Sequence, residues 1–177
     1  LHTPGRFPTD QGFDEWYGIP NSTDEAYWPA QAQFNEVMAQ GTVPYLEAEY
    51  IYKGRRGSAP QKVKIYDIPA RREIDREITD HTKAFIERQA KSGSSFFAYV
   101  PYTLTHMPVL PSAVFEGKSG NGHWGDVLMQ IDAYVGELID TLDQLDIADN
   151  TIFIFTADNG PEMLPENHGW SGPWSGS

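Results

Sequence analysis

The stretch Thr151-Ile152-Phe153-Ile154-Phe155-Thr156-Ala157-Asp158-Asn159-Gly160-Pro161 joins a short apolar run to an abrupt turn. Ile152 to Phe155 is β-branched and aromatic throughout, the composition of a fully buried strand. Asp158-Asn159-Gly160-Pro161 then stops the strand. A carboxylate and an amide oxygen are thereby placed where a buried strand ends. In an open α/β sheet, ligands bind outside the carboxyl ends of the strands. Two hard oxygen donors there suit a hard cation such as Ca²⁺ or Mg²⁺. Asp-Asn-Gly is also what an ordinary turn uses, so this stretch alone leaves both readings open.

Upstream, Trp124, Val127, Leu128, Ile131, Tyr134, Val135, Leu138, Leu142 and Leu145 keep helical spacing, with Asp126, Asp132, Glu137, Asp140 and Asp143 assigned to a solvated opposite face. A second helix is expected over Arg71 to Ala90, with Ile74, Ile78, Phe85 and Ile86 on its apolar face and Lys91-Ser92-Gly93 as its stop. Phe96 to Val100 follows as a second buried strand, ending at Pro101 before the loop Thr103-Leu104-Thr105-His106-Met107-Pro108. His106 thus repeats the placement of Asp158, a polar residue just past a strand. A loop histidine that is only solvated or hydrogen-bonded is the competing reading. The order helix, strand, loop, helix, strand predicts an α/β fold, a mostly parallel sheet with right-handed crossovers and flanking helices.

The remainder is less regular. Pro4, Gly5, Pro8, Gly12, Gly18, Pro20 and Pro29 interrupt the first part. A short helix is expected from Ala30 to Gln40. A hairpin is expected from Tyr45–Tyr52 and Val63–Tyr66, with Gly54-Arg55-Arg56-Gly57 as a solvated turn. The last residues, Glu162 to Ser177, lack periodicity. One partial domain, 1–177, is therefore expected: an irregular and hairpin region over 1–68, an αβ-loop-αβ core over 69–160, and a tail over 161–177.

The 177 residues carry a formal net charge of -12, which disfavours nucleic acid and anionic membrane surfaces. An anionic substrate would need a local cation. Without cysteine there is no disulfide, zinc-thiolate site or cysteine nucleophile in these residues. No apolar run is long enough to span a bilayer, and no signal peptide is visible. The sequence begins at Leu1, so its first residue need not be a natural N-terminus.

Three segments, in order, resemble the sulfatases of the arylsulfatase type, within the alkaline phosphatase-like superfamily. Pro8-Thr9-Asp10-Gln11-Gly12-Phe13-Asp14-Glu15-Trp16-Tyr17-Gly18 resembles the segment after the family's Gly-Lys-Trp-His-Leu-Gly motif. Phe96 to Val100 with Thr105-His106-Met107-Pro108 resembles the strand and loop that carry a substrate-binding histidine. Thr151 to Glu162 resembles the strand ending in the metal-binding Asp-Asn-Gly. The resemblance runs along the whole chain, most weakly over residues 25 to 70.

The resemblance implies that Asp158 and Asn159 are metal ligands, for Ca²⁺ with Mg²⁺ as the alternative. It implies that His106 binds the sulfate ester oxygen and is a candidate to protonate the leaving group. His168 lies near the Gly172-Pro173-Trp174-Ser175-Gly176-Ser177 segment and is a further candidate for substrate binding, with a loop histidine of no catalytic role as the competing reading. The implied nucleophile is a formylglycine made from Cys or Ser in a Cys/Ser-x-Pro/Ala-x-Arg motif, and these 177 residues contain no such motif. The first-strand Asp pair of the family is also missing. Gly172-Pro173-Trp174-Ser175-Gly176-Ser177 resembles the family's Gly-Pro-Leu-Arg-Gly-x-Lys, with Ser175 at the Arg position.

The expectation is an internal sulfatase fragment, inactive alone, whose parent hydrolyses a sulfate ester of a small molecule or glycan in the periplasm or outside the cell. A fragment of a related phosphatase, phosphodiesterase or phosphonate hydrolase is the alternative enzyme. A non-catalytic homo-oligomer associating through exposed sheet edges is the alternative outside catalysis.

Overall fold

The computed structural model of the chain describes residues 5–23, 49–161 and 173. The expected helix at 30–40, the first part of the expected strand at 45–48, His168 and nearly all of the tail lie outside them.

After a single 3₁₀ turn at Pro8–Asp10 come β1 (Glu15–Gly18), β2 (Tyr50–Arg55) and β3 (Gln61–Ile65). They form an antiparallel sheet in the order β1-β2-β3, with Trp16 opposite Gly54 and Tyr50 opposite Ile65. Gly54 is demanded by packing. A Cβ there would lie 2.3 Å from the Trp16 indole nitrogen, while the indole stacks against Phe7 and Tyr52. The hairpin turns over 56–60, slightly later than expected. Arg56 at that turn is not merely solvated. It pairs with Asp14 at 3.3 Å and donates to the Gly12 carbonyl.

Helix α1 (Ile68–Ser92) starts at Asp67, whose carboxylate accepts the Ala70 N–H at 2.9 Å. It ends at Gly93, left-handed with φ 67°. Helix α2 (Gly122–Gln144) packs against it. Ile51, Tyr66, Ala70, Ile74 and Ile78 form one core cluster, between the sheet and α1. Leu104, Val127 and Tyr134 form a second, against α2. The helices are also tied by Glu137, which takes both Arg76 nitrogens, at 2.5 and 3.0 Å, and Lys83 at 3.0 Å.

Two of the acids assigned to a solvated face are therefore structural. Glu137 bridges the helices, and Asp126 is buried, accepting the N–H groups of Gly117 and Ser119 at 2.8 Å each. Ser119's hydroxyl and N–H, followed by Gly117's N–H, hold the Asp126 carboxyl below the usual range.

The expected strands differ as well. Residues 96–100 and 151–157 form no backbone ladder among the described residues. Phe97 is 74% exposed and Ile152 90% exposed. Strand composition was read correctly as apolar, but an apolar run becomes a buried strand only when neighbours supply hydrogen bonds and cover both faces. Among the described residues the hydrogen-bonded sheet is the antiparallel β1-β2-β3, and the two runs expected as parallel strands carry no ladder.

Candidate functional site

The loop carrying His106 is held from beneath by α1. Arg71, Ile74, Asp75, Ile78 and Thr79 share its inner face, and Arg71 and Asp75 are as buried as Ile74. Arg71 Nη1 lies 3.5 Å from Asp75 Oδ2, one helical turn on. Two buried charges of this kind persist only if their remaining hydrogen-bonding capacity is used.

Thr103 and His106 use the capacity of both Nη groups and of the carboxylate, while the buried Arg71 Nε has no hydrogen-bond partner among the described residues. Asp75 accepts the Thr103 N–H and the Thr103 hydroxyl, both at 2.6 Å. Arg71 Nη1 donates to Thr103 Oγ1 at 2.9 Å. Arg71 Nη2 donates to the carbonyls of Thr103, at 3.0 Å, and His106, at 3.2 Å. One guanidinium nitrogen thus gathers both ends of the 103–106 turn. Burial pushes the Asp75 carboxyl up, opposed by the Arg71 charge and the Thr103 and Leu104 hydrogen bonds. Leu104 is buried in the second core cluster. Thr105, between these anchors, has the left-handed φ of 75°, a conformation that costs a residue with a Cβ about 1–3 kcal/mol.

The His106 ring is exposed, and its Nδ1 lies 2.8 Å from Thr23 Oγ1 and 3.0 Å from the Met107 carbonyl. Thr23 is buried and donates its hydroxyl proton to the same carbonyl at 2.7 Å. The histidine is therefore neither free nor buried: its backbone is fastened to α1 and one ring nitrogen to Thr23.

Asp158 and Asn159 are exposed and, among the described residues, hydrogen-bonded locally. Asp158 Oδ1 accepts the Asn159 N–H at 2.9 Å, and Asn159 Nδ2 donates to the Gly160 carbonyl at 2.8 Å. Asp158 Oδ2 and Asn159 Oδ1 make no hydrogen bond among the described residues, which suits two donors to a cation. They do not make a complete centre. Calcium takes about 6–8 oxygens, and no group of three or more His, Cys, Asp or Glu that could hold a metal exists among the described residues.

Thr23, Arg71, Asp75 and Thr103 are not among the residues singled out from sequence. A signal for two of them existed: Arg71 and Asp75 fall in phase with Ile74 and Ile78, on the apolar face, where a solvated charge does not belong. Thr23 carries no local signal, because its contact spans 83 residues.

A sulfatase family model matches residues 3–176. Human N-acetylgalactosamine-6-sulfatase is 34% identical over 177 residues, which cover 98% of this chain and 31% of that protein. N-acetylgalactosamine-6-O-sulfatase of Bacteroides thetaiotaomicron is 46% identical over 84 residues, covering 48% of this chain and 16% of that protein. The crystal structure of the PsFucS1 sulfatase from Pseudoalteromonas sp. superposes with a TM-score of 0.84 at 26% identity, over 97% of this chain and 36% of that one. The chain thus spans about a third of the length of the curated relatives it matches. Its fold is that of part of an alkaline phosphatase-like α/β domain, and the chain belongs to the sulfatase family.

Proposed function

We propose that the chain is the part of a sulfuric ester hydrolase that supplies His106 to the substrate and Asp158 and Asn159 to a divalent cation site. The observation that supports this reading most is the construction of the His106 loop: a buried ion pair and a left-handed threonine hold one exposed imidazole in place. A solvated loop histidine does not call for that. Its ring can hydrogen-bond an ester oxygen and, when protonated, pass a proton to the leaving alkoxide. The formylglycine nucleophile and the remaining metal ligands would come from outside these 177 residues, and His168 would add a second contact to the substrate.

The names of the relatives point to a sulfate on a sugar ring, with 6-O-sulfated N-acetylgalactosamine the first substrate to try. A sulfated glycan places the parent enzyme in the periplasm or outside the cell. No helix of the described residues is long and apolar enough to cross a membrane. In this reading the net charge of -12 makes nucleic acid an unsuitable partner.

Turnover of that sulfated sugar and of an aryl sulfate, by the natural protein containing this sequence, tests the proposal. His106→Ala in that protein should lower kcat by about 10²–10⁴-fold, the range of a lost general acid. The 177-residue chain alone should show no turnover above its own His106→Ala control. Unchanged kcat in the variant, or a phosphate ester cleaved in preference to the sulfate, would overturn the reading.

A further inference from the structure

We propose that Thr23 and the buried Arg71–Asp75–Thr103 cluster are positioning residues that hold the His106 ring in its Nδ1–H tautomer, leaving Nε2 to meet the ester oxygen. The inference rests on the reading of His106 given above, but its geometry stands apart from that reading.

The tautomer follows from the direction of three hydrogen bonds. The Met107 carbonyl can only accept, so its 3.0 Å contact with His106 Nδ1 needs a proton on that nitrogen. Thr23 reaches the same result independently. Its hydroxyl has a single proton, donated to Met107 at 2.7 Å. Toward His106 Nδ1, 2.8 Å away, its oxygen must therefore accept. Which nitrogen carries the proton in a neutral imidazole is set by the partner of the other. With Nδ1 protonated, Nε2 keeps the lone pair, and the second proton of the imidazolium enters at Nε2. A general acid acting through Nε2 thus returns to the tautomer that Thr23 and Met107 already select.

The Arg71 cluster makes that selection possible. The ring meets Thr23 only if the His106 backbone is correctly placed, and Arg71 Nη2 holds the His106 and Thr103 carbonyls at 3.2 and 3.0 Å. Asp75 fixes Thr103 through both its N–H and its hydroxyl. No cluster residue is assigned contact with substrate.

Two-bond ¹H–¹⁵N correlation spectra of the neutral imidazoles in the full chain test this. The His106 signals are identified by their loss in His106→Gln. A protonated Nδ1 and an unprotonated Nε2 are expected. Thr23→Val should lower the Nδ1–H to Nε2–H ratio by about threefold to tenfold, the weight of one net hydrogen bond. Thr23→Ser, which restores the hydroxyl, should recover it. Asp75→Asn should lower the ratio toward the Thr23→Val value with helix content retained. If that variant fails to fold, Thr103→Val, which removes the hydroxyl from the ion pair, carries the same expectation. An Nε2–H pattern in the unaltered chain, or a ratio unmoved by Thr23→Val, overturns the tautomer assignment. A ratio unmoved by the folded cluster variant overturns the role of the cluster. The spectra need no substrate, so the Nδ1–H pattern in an inactive parent protein would sink the sulfate-ester reading alone. The Nε2–H pattern in an active one would sink the positioning alone.

Discussion

The His106 loop and the Asp158 loop follow apolar runs of the same kind, yet they are built in opposite ways. The first is held by a buried Arg–Asp pair, a buried threonine and a core leucine. The second is exposed, with Asp158 and Asn159 bonded to adjacent residues alone among the described residues. The physical difference is sequence distance. Helix α1 lies against the 103–106 turn and supplies its donors and acceptors. Among the described residues no element does the same for 151–158. The His106 loop is thus fixed by contacts with a distant helix, while the Asp158 loop presents donor atoms held by local bonds among the described residues.

The largest effect that could break this contrast is on stability. Asp75→Ala leaves the buried Arg71 charge without its carboxylate and should cost about 3–5 kcal/mol. Urea unfolding measures it, and a loss below 1 kcal/mol would show that the pair is not what holds the loop.

Self-association is next. Phe97, Ile152, Ile154 and Phe155 are each more than 60% exposed. Extended apolar runs without a ladder are sites of pairing between chains. β3 is exposed too, but Lys62 and Lys64 on it discourage edge pairing. Light scattering should therefore give a mass above the 19.9 kDa monomer, brought down by Phe97→Lys with Ile154→Lys. A monomer before any substitution would contradict this expectation.

Calcium binding sharpens the contrast from the other side. With two donor residues and about 6–8 oxygens needed, calorimetry on the chain should find no site tighter than about 10⁻⁴ M. Micromolar affinity that disappears in Asp158→Ala would reveal further ligands.

The smallest effect lies away from both loops. Glu137, held by Arg76 and Lys83, has its carboxyl lowered from 4.5, with the Arg76 hydrogen bond as the largest cause. A lowered folded-state pKa means stability that is present above the unfolded value and lost as pH falls through the folded one. Glu137→Gln should cost under about 1 kcal/mol at neutral pH, because the group is partly exposed and screened. That deficit should vanish in unfolding measured below the folded-state pKa. A constant deficit across the acid range would mean that shape, and not charge, matters there.

Much of the architecture was legible from local pattern. The spacing of Ile74, Ile78 and Ile86 located α1 and Lys91-Ser92-Gly93 marked its stop, whereas its first residue, Ile68 after the Asp67 cap, precedes the expected Arg71. The run from Trp124 to Leu145 located α2, and Gly54 to Gly57 approximated the hairpin turn. The candidate site was legible as residue types: His106, Asp158 and Asn159 each follow an apolar run and match the family's motifs. His168 lies outside the described residues.

What the sequence by itself determined is therefore what depends on neighbours along the chain: helix periodicity, caps, apolar runs, and the family to which they belong. These follow from interactions within a few residues, so they are written in local order. Tertiary structure alone supplied the partners of the inward-facing Arg71 and Asp75, the Thr103 side chain and N–H and the His106 carbonyl. It decided that Thr23, 83 residues away, meets the His106 ring. It also decided that Phe96–Val100 and Ile152–Phe155 remain without a ladder among the described residues. A strand's hydrogen bonds and a buried charge's partner lie on other segments, and no local pattern names the segment that will arrive.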